Sequence, residues 1–333
     1  MNPNTNLRIK ALRTIMEKEG IAAFIIPSTD PHLSEYVAPH WESRKWISGF
    51  TGSAGTVVIT HHEAGLWTDS RYFLQAAQQL EGTEIVLYKE MLPETPSIPA
   101  FLSAHLKAEE TVGIDGKMFS ATQVALLEKE LAEANISIKA IADPMEELWT
   151  DRPSIPNTPA FIYDIYYAGK SCEEKIETIR KAILKDGAKY ILLTALDEIA
   201  WTLNIRGNDV HCNPVVISYL LIGQDSVHFF IEPEKVTKEL AAYLHRNNIE
   251  IHPYNEIEQF LKLLNNTSIL AEPSKTNYSV YSAIAPECTI VTGPSPVSLL
   301  KAIRNEQEIS GIRSAMLKDG VALVKFLKWL ETA

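Results

Sequence analysis

Arg71 stands in the stretch GLWTDSRYFLQAAQQL (65–80), where a strand-like run gives way to a helical one. Backbone N–H groups at a helix start favour anions, so a cation there is disfavoured by a few tenths of a kcal/mol up to about 1. Phe73, Ala76, Ala77 and Leu80 recur at helical spacing and define the buried stripe. Arg71 lies about 200° round the helix from Phe73 and so points to solvent. The plain reading is half of an exposed ion pair with Asp69, contributing about 0–1 kcal/mol, which leaves the unfavourable helix position unexplained.

Other residue types that do chemistry are placed less well. PHLSEYVAPHW (31–41) gathers His32, Glu35 and His40, with His32 and Glu35 at i, i+3. Three prolines interrupt the region, so a shared metal is the weaker reading. SGFTGSAGT (48–56) is glycine-rich, but it lacks the G-K-[ST] ending of a phosphate loop and leads into a strand, not a helix. Tight turns are the better reading. In TALDEIAWTLNIRGNDVHCNP (194–214), Thr194 and Asp197 form a capping-box pattern before a stripe of Leu196, Ile199, Ala200 and Leu203. Asp197 and Glu198 are adjacent and do not converge, so a solvated, cap-supporting role is expected. Arg206 and Asp209 are expected to pair across Gly207. His211-Cys212 has no further ligand nearby, and no G-x-S-x-G is present. The sequence therefore yields no catalytic residue and no metal ligand set.

Composition narrows the classes. The chain has 333 residues, 46% hydrophobic and 22% charged, with net charge −11, an ordinary globular profile with room for two domains. The acidic balance argues against nucleic acid or an anionic membrane as partner. No run approaches the ~20 apolar residues of a membrane span, and MNPNTNLRIK has no signal-like apolar region. Cys172, Cys212 and Cys288 are odd in number and far apart, which favours reduced thiols and a cytoplasmic location.

The elements that must position these residues are written twice. IKALRTIMEKEGIAAFIIPSTD (9–30) aligns without a gap on IETIRKAILKDGAKYILLTALD (176–197). Ile9, Leu12 and Met16 match Ile176, Ile179 and Ile183, Arg13 matches Arg180, and Gly20 matches Gly187 at a helix end. Each glycine precedes a strand, at 21–26 and 188–193. TVVIT (56–60) is set against PVVIS (214–218), and TVGID (111–115) against SILAE (268–272). Pro153, Pro156 and Pro159 make an extended linker between the copies. An α/β architecture with two mixed sheets covered by helices follows. IRSAMLKDG (312–320) repeats only the helix of the unit, and Leu323, Phe326, Leu327 and Leu330 then leave an apolar stripe uncovered. This C-terminal stretch reads as the start of a third domain, cut short.

SEYVAPHWESRKWISGFTGSAGTVVI, GLWTDSRYFLQAA, LWTDRP, TALDEIAWTLNIRGNDV and NPVVISY together resemble the N-terminal two-thirds of cytosolic Xaa-Pro aminopeptidases, also called aminopeptidase P. The resemblance runs from about residue 20 to the end. It implies two duplicated creatinase-N-type domains with ribonuclease-H-like mixed sheets, at 1–152 and 153–300, plus the opening helix, 301–333, of a truncated pita-bread metallopeptidase domain. KAIRNEQEISGIRSAMLKDGVALVKFLKWLE is similar to that helix. For a full-length protein it implies a hydrolase that removes the residue before a proline in second position. Two divalent cations, manganese, would be held by two aspartates, one histidine and two glutamates, none assignable here. The partners implied are such peptides and a second copy in a homodimer. In the family the arginine of the matching W-T-D-x-R-Y-F block reaches the bound peptide, which by that match alone makes Arg71 a substrate-binding residue. The 333-residue chain itself is then expected to be inactive, shaping access, contributing to binding and supporting oligomerisation. The alternative is a non-enzymatic pita-bread relative, a protein-binding module of histone-chaperone type. Creatinases and prolidases have one such domain, and the duplication weighs against them.

Overall fold

The computed structural model describes residues 4–333. The helix Asn4–Glu19 buries Ile9, Leu12 and Met16 along one stripe and stops at Gly20, whose φ of +66° suits glycine. β1 (Ala23–Ile26) follows, then β2 (Thr56–Thr60), β3 (Ala64–Thr68), β4 (Ile85–Lys89), β5 (Thr111–Asp115) and β6 (Ser137–Ile141). They form one sheet in the order β4-β3-β2-β1-β5-β6. The sheet is mixed: β1, β2 and β3 alternate direction, while β4, β5 and β6 join in parallel. Its two faces bury alternate residues, Phe24 and Ile26 with the first helix, Ala23 and Ile25 with Phe101, Val124 and Leu131.

After an extended segment, β7 (Phe161–Ile162) pairs with β9 (Ile205–Arg206) as a short ribbon. The second unit then repeats the first. The helix Cys172–Lys185 is capped by a Ser171–Glu174 box and buries Ile176, Ile179 and Ile183. β8 (Tyr190–Leu193), β10 (Ser218–Gly223), β11 (Val227–Ile231), β12 (Glu250–His252), β13 (Ser268–Ala271) and β14 (Thr289–Thr292) follow, ordered β12-β11-β10-β8-β13-β14. Position for position this is the first sheet again. Even side-chain bonds repeat: Arg13 Nε donates to the Thr60 carbonyl at 2.8 Å, and Arg180 Nε to that of Gly223 at 2.9 Å.

That register corrects one alignment. Ala23 faces Thr60 and its counterpart Tyr190 faces Gly223, so the equivalent of 56–60 is 219–223, not 214–218. The run PVVIS is apolar for a different reason. Val215 and Ile217 join Ala38, Trp41, Leu196, Ala200 and Val210 in a cluster between the two units. The match of 111–115 to 268–272 holds, since Ala23 pairs with Val112 and Tyr190 with Ile269.

The helix Leu196–Leu203 buries its expected stripe, but Thr194 does not cap it. The Thr194 hydroxyl donates instead to the Lys275 carbonyl at 2.7 Å, and Ala195 occupies the cap position. Glu198 is buried, not solvated: its carboxylate accepts from Ser295 Oγ at 2.6 Å and Ser298 Oγ at 2.5 Å. Asp197 pairs with Lys301. Arg206 and Asp209 do not meet. Arg206 donates to the carbonyls of Ala200 and Ile205 and lies over the Tyr163 ring, while Asp209 is buried against Lys235 at 2.6 Å.

The helix Glu306–Leu330 starts at an Asn305–Glu308 box, and Asn305 Nδ2 donates to the Ala168 carbonyl at 2.8 Å. Beyond that anchor it stands out from the body. Leu323, Phe326, Leu327 and Leu330 are about half exposed.

At the end of β5, Asp115 lines a cleft of about 410 Å³ between the units with Trp41, Tyr219 and Tyr254. Burial, reinforced by the nearby Asp143 charge, raises its pKa to about 6 from 3.8. In that window the folded chain binds the extra proton, so stability falls as pH rises from about 4 towards 7. Asp115→Asn can still accept the Lys117 N–H. The replacement is expected to raise stability at pH 8 on the order of 2 kcal/mol, shrinking as pH falls through about 6 and vanishing only below about 4. Thermal melts of both proteins across that range measure it; a gap independent of pH contradicts it.

Candidate functional site

Arg71 lies where β3 ends. Asp69 caps a 3-10 turn, Ser70–Tyr72, that opens the helix Phe73–Gln79. The Asp69 carboxylate accepts the Arg71 backbone N–H at 3.0 Å, its Nε at 2.9 Å and its Nη2 at 2.8 Å. This answers the helix-start problem: the anion that the N–H groups favour is present, and the arginine rides on it. The hydrogen bonds hold the Asp69 carboxyl below its usual range and push the Arg71 guanidinium up. Ala76 and Leu80 are buried as expected, but Ala77 is exposed because the helix has only 7 residues and packs on a narrow face.

The pairing does not exhaust Arg71. Its side chain is 67% exposed, and Nη1 has no hydrogen-bond partner among the described residues. The guanidinium sits 5.3 Å from the Tyr72 ring centre. The Tyr72 and Ser53 hydroxyls lie 2.6 Å apart, which joins the turn to the glycine-rich loop. That loop is a turn, as read, with Gly49 ending the helix Ser43–Ser48 in the left-handed region. Gly52 has a packing reason, since a Cβ there would meet the rings of Phe50 and Tyr72.

Arg44 holds the loop from beneath, a role its place in ESRKW does not reveal. It donates through Nη1 to the Phe50 carbonyl at 2.5 Å, through Nη2 to Gly52, and through Nε to Ser28 Oγ at 2.8 Å. Burial lowers its pKa to about 10, still charged at neutral pH. The only sequence signal is an arginine four residues before the glycine-rich stretch 48–56. Ser28, Arg44, Gly52 and Ser53 also line a cleft of about 260 Å³ that Val210 and His211 of the second unit close. Ser53, on the wall of that groove, ties it through the Tyr72 hydroxyl to the turn that carries Arg71.

The histidine group of 31–41 disperses. Buried His32 donates Nδ1–H to the Thr194 carbonyl and receives the Tyr254 hydroxyl on Nε2, each at 2.9 Å. His40 donates to the Pro153 carbonyl at 2.7 Å, and Glu35 is exposed. Burial lowers the pKa of both histidines. With both His32 nitrogens and His40 Nδ1 so used, these residues form no converging ligand group for a pair of metal ions. Among the described residues, the one converging group of three metal-ligating side chains is on β11 and β12, without the bridging carboxylates that two ions need.

The tandem six-stranded mixed sheets define two creatinase/prolidase-type N-terminal domains. Models of the Creatinase/Prolidase N-terminal domain match residues 8–148 and 151–308, and the chain belongs to that family. It is homologous over nearly its whole length to Xaa-Pro aminopeptidases. It is 36% identical over 339 residues to Xaa-Pro aminopeptidase 2 of Rattus norvegicus, covering 98% of this chain and 50% of that protein. It is 35% identical to Xaa-Pro aminopeptidase 1 of Dictyostelium discoideum, covering 97% of this chain and 53% of that one. The X-prolyl aminopeptidase of Caenorhabditis elegans, described as a cytosolic enzyme with a di-nuclear active site, superposes with a TM-score of 0.92 at 31% identity, over 99% of this chain and 56% of that one. The chain spans about half the length of these relatives. No helix among the described residues is long and apolar enough to cross a membrane.

Proposed function

We propose that this chain is the non-catalytic, substrate-gripping portion of a cytoplasmic Xaa-Pro aminopeptidase. Its units, 1–152 and 153–300, wall the active site and exclude folded proteins, and 301–333 opens the catalytic domain. In the whole enzyme two divalent cations, manganese, supply the activated water and polarise the scissile carbonyl; residues outside this chain hold them, and homodimerisation involves the same portion. Proline has no N–H to grip and restrains its neighbour, so peptides with proline in second position need a dedicated pocket.

Arg71 carries the reading. A guanidinium already oriented by a bidentate carboxylate, braced through Tyr72 and still offering free N–H groups, is preorganised for a peptide carbonyl or terminal carboxylate. Such a contact, downstream of the proline, acts on peptide binding and not on bond cleavage.

The expected result for the purified 333-residue chain is no release of arginine from an Arg-Pro-Pro peptide, with or without added Mn²⁺. Catalytic turnover by the chain would contradict its non-catalytic assignment.

A further inference from the structure

At the outer edge of the second sheet, parallel strands β11 and β12 place His228 opposite Glu250 and Phe230 opposite His252. Period-two alternation puts all four side chains on one face. Three ligand atoms converge there. His228 Nδ1 lies 3.2 Å from His252 Nε2 and 3.3 Å from Glu250 Oε2, and the latter two are 3.8 Å apart. An ion held tetrahedrally at ~2.0–2.1 Å separates its ligand atoms by ~3.3–3.4 Å, so one ion fits among the three with little adjustment.

The geometry points to a mononuclear site for a divalent transition-metal ion, Zn²⁺ in particular, formed by His228, Glu250 and His252. The surroundings have the layout of such a site. Ser226 Oγ lies 3.0 Å from His228 Nε2, in place to accept its N–H and fix the tautomer that leaves Nδ1 free to ligate. Phe230 and Phe260 form an aromatic floor, with ring centres 4.9 and 5.3 Å from that of His252. Glu250 is 64% exposed, which leaves the outer side open to water as a fourth ligand. Two imidazoles and one carboxylate favour Zn²⁺, Co²⁺, Ni²⁺ or Cu²⁺ over Mg²⁺ and Ca²⁺. The same atoms can instead share a proton between the rings and the carboxylate, and that ion-free network is what the experiment must exclude.

A bound ion would tie edge strand β12 to β11 and stabilise the second unit by mass action. The test uses the metal-stripped 333-residue chain and Co²⁺ as a visible probe. The site predicts one equivalent of Co²⁺ with the intense d–d absorption of four-coordinate geometry, displaced by one equivalent of Zn²⁺. His252→Gln and Glu250→Gln, both at accessible positions, should each weaken Co²⁺ binding at least tenfold, and Ser226→Ala by about tenfold. His62→Gln and His211→Gln should leave it unchanged. Absence of the absorption, or a band that survives both ligand replacements, overturns the site and assigns the cluster to a hydrogen-bonded network alone.

Discussion

Lys235→Met is expected to lower the unfolding free energy by about 3–5 kcal/mol, the range for breaking a buried ion pair from one side. Lys235 and Asp209 have fully buried side chains 2.6 Å apart. Asp209 also accepts the Ile217 N–H at 2.7 Å and the Thr158 hydroxyl at 3.3 Å, while the Lys235 carbonyl receives the Ala160 N–H at 2.9 Å. One ion pair thus ties the linker, the 209–217 loop and the second sheet together. Burial lowers the Lys235 pKa, and the Asp209 charge opposes that shift. Removing the ammonium leaves a carboxylate with two neutral donors and no counter-charge. Adding Asp209→Asn to Lys235→Met should recover part of the loss, because the stranded charge disappears. Urea unfolding of wild type, Lys235→Met and the double variant measures this; a double variant no more stable than Lys235→Met contradicts it.

Arg44→Met is expected to cost about 2–4 kcal/mol, since it removes three charge-assisted hydrogen bonds and strands the carbonyls of Phe50 and Gly52. Arg44→Lys should rescue little, because one ammonium cannot reproduce a planar fork that reaches three acceptors. The lost loop also frees Ser53 from Tyr72, so limited proteolysis should open near 50–53 in the methionine variant. Stability within about 0.5 kcal/mol of wild type for both variants would show that the loop holds itself.

Arg44 also shows where sequence reading stops. Periodicity exposed the duplicated helix and strand because Ile9, Leu12 and Met16 and their counterparts bury one face each. It misplaced 214–218 because an apolar run looks the same whether it enters a sheet or an interface between domains. Glu198 looked like a solvated charge and Asp209 like the turn partner of Arg206; their actual partners Ser295, Ser298 and Lys235 lie about 25–100 residues away and meet them only in the fold. His228, Glu250 and His252 gave no signal for the same reason, since two short strands share a face only once paired. Arg71 was legible as an anomaly, and Asp69 as its neighbour, because both lie within one turn.

Arg71 therefore provides the decisive measurement. Steady-state kinetics of the whole enzyme, wild type against Arg71→Ala, should be compared on Xaa-Pro dipeptides, tripeptides and longer peptides. KM is expected to rise roughly tenfold for tripeptides and longer substrates, the size of one lost charge-assisted hydrogen bond, with kcat little changed and dipeptides unaffected. The side chain is exposed and its partner Asp69 keeps the Arg71 N–H, so the fold and melting temperature should hold. Kinetics indistinguishable from wild type at every peptide length would reduce Arg71 to an ordinary surface charge paired with Asp69.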